Sequence, residues 1–185
     1  MHASTRERIT QAARTLFNER GYNAVSVADI AQEVGISKGN LTYHFKRKED
    51  IVDALVDEPS GHDTRPTEPA TDLAGLDAIF LDMQRTVTDN AFYFWHYAQF
   101  AQLSPKIRKS QLANSELMIG LLRGTLANLE AAGLMKPEPV PGAYDALAEQ
   151  LLMAGVYWIP FCELRGIERT AFRDHAWSIL GPSLA

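Results

Sequence analysis

The segment spanning residues 26–51 constrains the fold more than any other part of the chain. Ser26 precedes an apolar-periodic run and has the side chain of a helix N-cap, while Gly35, which tolerates positive φ, follows that run. Ser37 is a second N-cap candidate and precedes another short helical segment. Two short helices joined by a tight glycine-containing turn predict a helix-turn-helix, whose second helix enters the major groove of DNA.

The second helix of this motif offers a surface suited to nucleic acid. Leu41 and Phe45 occupy its inward positions, and no acidic residue lies between Gly35 and Lys48. Donor side chains in such a segment suit phosphate oxygens and base edges. We expect base-edge contacts, with close backbone approach at Gly39, from Lys38, Asn40 and Thr42. We expect phosphate contacts from Ser26, Ser37, Tyr43, His44, Lys46 and Lys48.

The same residues resemble the DNA-binding signature of the TetR/AcrR family of bacterial transcriptional regulators. The run from Ile36 to Ile51 is similar to that family's pattern Ser-x-Gly-x-Leu-Tyr-Tyr-His-Phe-x-x-Lys-Glu-x-Leu, and the similarity extends over about residues 5–55. Thr42 departs from the pattern, since the family usually has an aromatic residue there. The resemblance implies a homodimer that binds a palindromic DNA operator, represses transcription and responds to a small-molecule effector.

The charge distribution agrees with DNA binding at one end of the chain. The whole chain has a net charge of −5, which by itself argues against nucleic acid. Residues 1–50, however, carry eight Lys and Arg against six Asp and Glu, so the acidic excess lies in the remainder. A locally basic segment is typical of a protein that reads DNA with one face.

The composition also bounds the compartment and the chemistry. A single cysteine excludes an internal disulfide, and we find no long apolar run and no signal peptide, so we expect a cytoplasmic protein that does not enter a membrane. The five histidines form no metal-binding motif, and no phosphate-binding glycine loop is present. We therefore expect no metal, no cofactor and no enzyme activity.

Helical periodicity continues beyond the motif and predicts an all-α fold of about nine helices. A three-helix helix-turn-helix head over residues 1–46 precedes a ligand-sensing and dimerisation domain over residues 47–185. In the second part we expect a connecting helix over 47–58, a Pro-rich loop over 59–71, and a C-terminal helical bundle. The helix after Ala143 should kink at Pro160, and Leu117 should face inward in the helix that starts at Pro105.

Aromatic residues are dense enough in the body to suggest a cavity. A run of six rings cannot all face one core, so some should line an apolar pocket. The candidates for contact with an unknown, largely apolar effector are Phe94, Trp95, His96, Tyr97, Phe100, Met118, Leu122 and Phe161. Core packing is the competing interpretation for each of them.

The last helices provide candidates for a homodimer interface. The resemblance implies that they pair between subunits, with a small residue among large ones. The candidates are Leu147, Leu151, Gly155, Trp158 and Trp177. Packing within one subunit is again the competing interpretation.

Two functions of other classes remain open at this point. A thiol-responsive regulator acting through Cys162 is possible, although apolar neighbours suggest a buried, inert thiol. A helical enzyme is the other alternative, but Cys162 has no recognisable His or Asp partner in the sequence.

Overall fold

The computed structural model describes residues 3–57 and 66–185, and these residues are helical, as the sequence predicts. They contain eleven α-helices: α1 Thr5–Arg20, α2 Val27–Val34, α3 Lys38–His44, α4 Lys48–Asp57, α5 Leu73–Asp89, α6 Ala91–Trp95, α7 Tyr97–Leu103, α8 Pro105–Ala131, α9 Ala143–Val156, α10 Trp158–Arg165 and α11 Phe172–Leu180. Short 3-10 turns lie at Tyr22–Ala24, Arg169–Ala171 and Gly181–Ser183. In the same residues, β-type pairing is confined to one isolated bridge between Met135 and Leu184. Most of the predicted Pro-rich loop, residues 59–65, and the predicted last residue of the connecting helix, residue 58, lie outside the described residues.

Helix ends in the N-terminal part follow from local chemistry. The Ser4 hydroxyl accepts a hydrogen bond from the Glu7 amide, and the Glu7 carboxylate accepts one from the Ser4 amide at 2.7 Å, which forms the predicted capping box at the start of α1. Gly35 ends α2 in the left-handed conformation, with φ 72° and ψ 36°, which a residue with a Cβ rarely adopts.

Two predicted helices are each divided in two, which accounts for the larger number of helices. The aromatic segment breaks at His96 between α6 and α7. The helix that starts at Ala143 ends at Val156, and α10 begins at Trp158. Pro160 explains the second break because its nitrogen cannot donate to the carbonyl of Val156 and its ring crowds that carbonyl. The proline is therefore accommodated in the first turn of α10, where amide donors have no intrahelical acceptor.

The described residues fall into two compact units. The head unit contains residues 3–57 together with Asn90–Ser110, and the body unit contains residues 66–89 together with Gln111–Ala185. The functional division at residue 46 remains a prediction, but by packing α4, α6 and α7 belong with the helix-turn-helix. The apolar core of the head unit includes Phe17, Tyr22, Phe92, Phe100 and Ile107.

The body unit contains an apolar core and polar contacts, among them a network that connects α5 with α11. Its buried residues include Leu76, Phe80, Leu122, Leu151, Trp158 and Phe172. Leu117 does not join them, because it is 73% exposed on α8, contrary to prediction. Arg173 of α11 forms a forked ion pair with Asp77 of α5, with nitrogen–oxygen distances of 2.7 and 2.9 Å. The indole nitrogen of Trp177 donates to the same carboxylate at 2.8 Å.

Candidate nucleic-acid interface

Helix α3 is anchored by two buried side chains and presents its remaining side chains outward. Leu41 and Phe45 have relative exposures of 0% and 2%, as expected for the inward positions. Tyr43, between them, is 85% exposed. The turn before α3 is fixed by Gly35 and by a hydrogen bond from the Ile36 amide to the Ala31 carbonyl at 3.0 Å. The second helix is therefore held by its apolar side, and its polar side is open.

The open side contains the cations best placed for phosphate or base contacts. Lys38, Gly39, Asn40 and Lys46 are exposed. Within the part of the chain that the structure describes, no hydrogen bond or ion pair engages the ammonium groups of Lys38 and Lys46. A Cβ added at Gly39 would have the Ser37 hydroxyl oxygen as its nearest neighbour, at 3.8 Å, so the space outside Gly39 is open. This geometry agrees with close backbone approach at that position.

The hydroxyl groups predicted to contact DNA have structural roles in the unbound protein. Ser26 caps α2, and its hydroxyl donates to the Asp29 carboxylate at 2.6 Å, which lowers the pKa of Asp29. Ser37 caps α3 by accepting from the Asn40 amide at 3.1 Å. Thr42 donates to the carbonyl of Gly39 at 3.0 Å, which leaves its lone pairs and its methyl group for a ligand. The capping roles of Ser26 and Ser37 are confirmed, and their DNA contacts remain predictions.

Lys48 departs from its predicted role as an exposed phosphate contact. Its ammonium group donates to the carbonyl oxygens of Tyr22 and Val25 at 2.8 and 2.9 Å, and it lies 4.0 Å from the centre of the Tyr22 ring. Burial lowers the pKa of Lys48. The sequence pattern missed this arrangement because the two acceptor carbonyls lie 26 and 23 residues earlier in the chain.

Two arginines of α1 also donate to the ends of the motif helices. Arg8 donates to the carbonyl of Val34, the last residue of α2, at 2.6 Å. Arg6 donates at 3.4 Å to the carbonyl of His44, the last residue of α3, and its guanidinium lies 4.2 Å from the centre of the Phe45 ring. Cations at helix C-termini satisfy carbonyls without helical partners and oppose the helix dipole. His44 itself is half-buried and contacts Tyr43 edge to face.

The predicted effector residues are divided between the two units. Phe94, Trp95, His96, Tyr97 and Phe100 lie in the head unit, and Met118, Leu122 and Phe161 lie in the body unit. Phe100 and Leu122 are core residues with exposures of 1% and 0%, so their predicted access to a ligand is revised. Phe161 and Trp95 are 42% and 48% exposed, and the remaining members of the predicted set are half-buried.

Aromatic packing explains the burial in the head unit. Tyr22 contacts Phe100 edge to face with ring centres 4.9 Å apart, and His96 contacts both rings. Burial lowers the pKa of His96, a hydrogen bond with Gln99 opposes this in part, and the Lys48 charge adds a smaller lowering effect. Burial, followed by the Glu49 carboxylate, raises the pKa of Tyr22. The segment that includes His96 and Phe100 therefore supports the helix-turn-helix directly.

Most residues predicted for the homodimer interface pack inside the body unit, which revises those predictions. Leu151 and Trp158 are buried, and the indole nitrogen of Trp158 donates to the Arg169 carbonyl at 2.7 Å. A Cβ added at Gly155 would lie 3.2 Å from the Met83 side chain and 3.5 Å from the Phe172 ring, so this glycine permits internal packing. Trp177 donates to Asp77, as described above, and Leu147 is half-buried.

A different set of apolar side chains is exposed near the C-terminal end of α9 and along α10. They follow one another at three and four residues, across the break between α9 and α10 and just past the end of α10, and their exposures range from 36% to 83%. They are Met153, Tyr157, Phe161, Leu164 and Ile167, which we term the apolar stripe. The sequence shows these spacings, but it does not show which of the two apolar faces lies inside the subunit.

The described parts of the chain contain neither a metal-binding cluster nor a membrane-spanning helix. No group of three or more His, Cys, Asp or Glu side chains in residues 3–57 and 66–185 is arranged to hold a metal ion. Over the same residues, no helix combines the length and apolar character needed to cross a lipid bilayer.

The chain is similar to known bacterial regulators in the region of the helix-turn-helix. Residues 9–55 match the family described as bacterial regulatory proteins, tetR family. The HTH-type transcriptional repressor KstR2 of Mycolicibacterium smegmatis is 44% identical over 54 residues, which cover 29% of this chain and 26% of that protein. The chain spans about a quarter to a half of the length of the curated relatives it matches.

Similarity to solved structures extends over the whole fold. A TetR-family transcriptional regulator from Marinobacter aquaeolei VT8 superposes with a TM-score of 0.82 at 20% identity, covering 99% of this chain and 92% of that one. A TetR transcription regulator from Haloarcula marismortui superposes with a TM-score of 0.73 at 20% identity, covering 97% and 98% of the two chains. The helix-turn-helix sequence and the fold thus agree: residues 9–55 match the tetR family of bacterial regulatory proteins, and the chain has the fold of solved TetR-family regulators.

Proposed function

We propose that this protein is a homodimeric transcriptional repressor that binds a palindromic DNA operator and is released by a small, largely apolar effector. The observation that carries the proposal is the open polar side of α3, where Lys38 and Asn40 are exposed beside Gly39, with Lys46 exposed just after the helix. Lys38 and Asn40 are suited to base edges, because ammonium and carboxamide groups match acceptors and donors in the major groove. Lys46 is suited to phosphate.

Homodimerisation follows from the limited reach of a single short helix. One seven-residue helix reads only a few base pairs, so specificity requires two copies on half-sites about 34–36 Å apart. We assign the contact between subunits to the apolar stripe, since exposed apolar side chains on adjacent helical turns favour association. Repression follows the description of the relative KstR2 as a repressor. A protein acting on bacterial DNA works in the cytoplasm, and no catalytic step is part of the proposal.

DNA binding is tested by titrating the purified protein with a library of genomic fragments at two salt concentrations. We expect a palindromic site whose affinity falls steeply with salt, because bound lysines displace counterions from phosphates. The variant Lys38→Glu with Lys46→Glu should lose binding while remaining folded. Lys109→Glu, an exposed lysine on α8 within the head unit, is the matched control and should retain more binding. Equal binding by the double variant and the wild type would contradict the proposal.

The subunit contact is tested by the mass of the protein in solution. Leu164 is 83% exposed, so Leu164→Glu should leave the fold intact and shift light scattering from dimer to monomer. Val140→Glu changes a residue that is 62% exposed outside the apolar stripe, and it should remain dimeric. A dimeric Leu164→Glu protein would assign the contact to another surface.

Release by an effector is supported by the half-buried aromatic residues of the predicted set, since apolar pockets with a few polar groups bind small molecules. An effector that prefers a conformation with wrongly spaced heads lowers operator affinity by population shift. Native mass spectrometry of the purified dimer, followed by operator titration with any copurified molecule, tests this step. If a copurified molecule leaves the operator affinity unchanged, that molecule is not the proposed effector and release by it is contradicted.

A thiol-responsive mechanism is disfavoured by the position of Cys162. The side chain is 2% exposed, and burial raises the pKa of its thiol. Reactive cysteines are exposed and have lowered pKa values, because the thiolate is the nucleophile. The effector mechanism is therefore the stronger of the two.

A further inference from the structure

Lys48 joins two parts of the head unit that are distant in sequence. It is the first residue of α4, and the two carbonyl oxygens that it contacts belong to Tyr22 and Val25. These carbonyls lie at the turn that brings the chain to Ser26, the N-cap of α2. The Tyr22 carbonyl belongs to the 3-10 turn and the Val25 carbonyl directly follows that turn, so a lysine that donates to both fixes the entry of the chain into α2.

Neighbouring contacts support this connection between Lys48 and the carbonyls of Tyr22 and Val25, which we term the joint. The Tyr22 ring, which lies against the Lys48 ammonium group, is 3% exposed, and its hydroxyl donates to Glu49 at 3.2 Å. The same ring contacts Phe17, Phe100 and His96. A cation–π contact is stronger when the cation and the ring are shielded from water than when both are exposed. The start of α4, the turn before α2 and the segment Asn90–Ser110 thus meet at Tyr22.

We infer that Lys48 is a positioning residue for DNA recognition, which holds the turn before α2 against the start of α4 and supplies no phosphate contact. An ammonium group has three donors, and two of these are used on backbone carbonyls in the unbound protein. Only the third donor is left for any other acceptor, so the carbonyl contacts are the main use of this ammonium group. Lys46, two residues earlier and exposed, supplies the phosphate contact instead.

The inference rests on the proposed function, and the salt dependence of DNA binding tests it. The probe is a fluorescein-labelled duplex of mixed sequence, long enough for two half-sites. Lys46→Met should reduce the slope of log affinity against log salt by about one per subunit, because one phosphate contact is lost in each. Lys48→Met should weaken binding at every salt concentration by a similar factor and leave the slope unchanged. A slope reduced as much as that of Lys46→Met would overturn the inference.

Lys48→Gln is a second variant for the salt-dependence experiment, and it can replace Lys48→Met if that protein does not fold. The carboxamide is neutral but still donates hydrogen bonds, so it replaces part of the joint without the charge. We expect Lys48→Gln to bind more tightly than Lys48→Met, with the wild-type slope. A phosphate-contacting lysine would instead give both neutral variants the same reduced slope.

Thermal unfolding without DNA separates failure of this inference from failure of the proposed function. Lys48→Met should lower the Tm, Lys48→Gln should lower it less, and Lys46→Met should leave it unchanged. If the wild type binds neither this duplex nor any genomic fragment, the proposed function fails, but this order of Tm values still tests the role of Lys48 in the unbound protein. Equal Tm values for wild type, Lys46→Met and Lys48→Met would contradict it.

Discussion

The guanidinium group of Arg8 in α1 donates a 2.6 Å hydrogen bond to the main-chain carbonyl of Val34, the last residue of α2. This contact connects residues that are 26 positions apart in the sequence. It gives a hydrogen-bond donor to a carbonyl at the end of α2, where the helix itself supplies no amide partner. Arg8→Ala should lower the free energy of unfolding by about 1 kcal/mol, as expected for a partly exposed hydrogen bond to a charged group. Urea denaturation measures this change. Gln11→Ala, on an exposed position of the same helix, is the control and should change stability little.

Gly39 should affect DNA binding and stability in opposite directions. Gly39→Ala adds a methyl group into open space and improves helix propensity, so it should stabilise the protein by up to about 1 kcal/mol. The same methyl group should hinder backbone approach to DNA and weaken operator binding. Thermal unfolding and fluorescence titration measure the two effects. Gly120→Ala is the matched control, because that glycine also faces open space and lies outside α3; it should stabilise the protein without weakening binding.

Asp77 should be the most sensitive carboxylate in the body unit. Arg173 and Trp177 both donate to it, and these hydrogen bonds lower the pKa of Asp77. Asp77→Asn removes the charge that they bind, so we expect a loss of about 1–2 kcal/mol in the free energy of unfolding, measured by urea denaturation. Asp174→Asn serves as the control. Asp174 is 85% exposed and lies 4.0 Å from Arg173, so this substitution should be nearly neutral, and equal effects would contradict the assigned role of Asp77.

His96 should make the stability of the head unit depend on pH. Its pKa in the folded protein is lowered from 6.5, chiefly by burial, so the unfolded chain binds more protons as the pH falls. The stabilising contribution of neutral His96 is therefore complete above the unfolded pKa and decreases as the pH falls toward the folded pKa. Between about pH 7.5 and about pH 5.5, the wild type should lose more Tm than His96→Gln does.

The exposed histidine on α11 provides the control for this pH experiment. His175→Gln lies in the body unit and measures how far a histidine substitution outside the head unit changes the loss of Tm. If His96→Gln and the wild type lose equal amounts, His96 is not the group responsible.

Local sequence signals predicted the helix ends well because the groups involved are close in the chain. The caps Ser4, Ser26 and Ser37 act within three residues of themselves, and Gly35 needs only its own backbone freedom. The buried side of α3 was predictable for the same reason, since helical periodicity alone places Leu41 and Phe45 inward.

Side chains with partners distant in sequence were harder to predict. The two exposed lysines at 38 and 46 and the internally bonded Lys48 look alike in sequence, and only tertiary structure brings the carbonyls of Tyr22 and Val25 to Lys48. Trp158 and Trp177 are large enough to anchor an interface, but their indole nitrogens find acceptors inside the subunit. Periodicity identifies an apolar face and does not identify what that face packs against.

The packing of Asn90–Ser110 within the head unit limits how this protein can be divided or recombined. Phe92, Phe100 and Ile107 complete the same apolar core as the helix-turn-helix, although the whole of α5 separates them from it in the chain. A fragment that ends after α4 would leave that core open to water, at a cost of several kcal/mol. A chimera that transfers the helix-turn-helix to another regulator must therefore include both residues 3–57 and Asn90–Ser110. Otherwise the recipient protein must supply aromatic side chains that cover the same core.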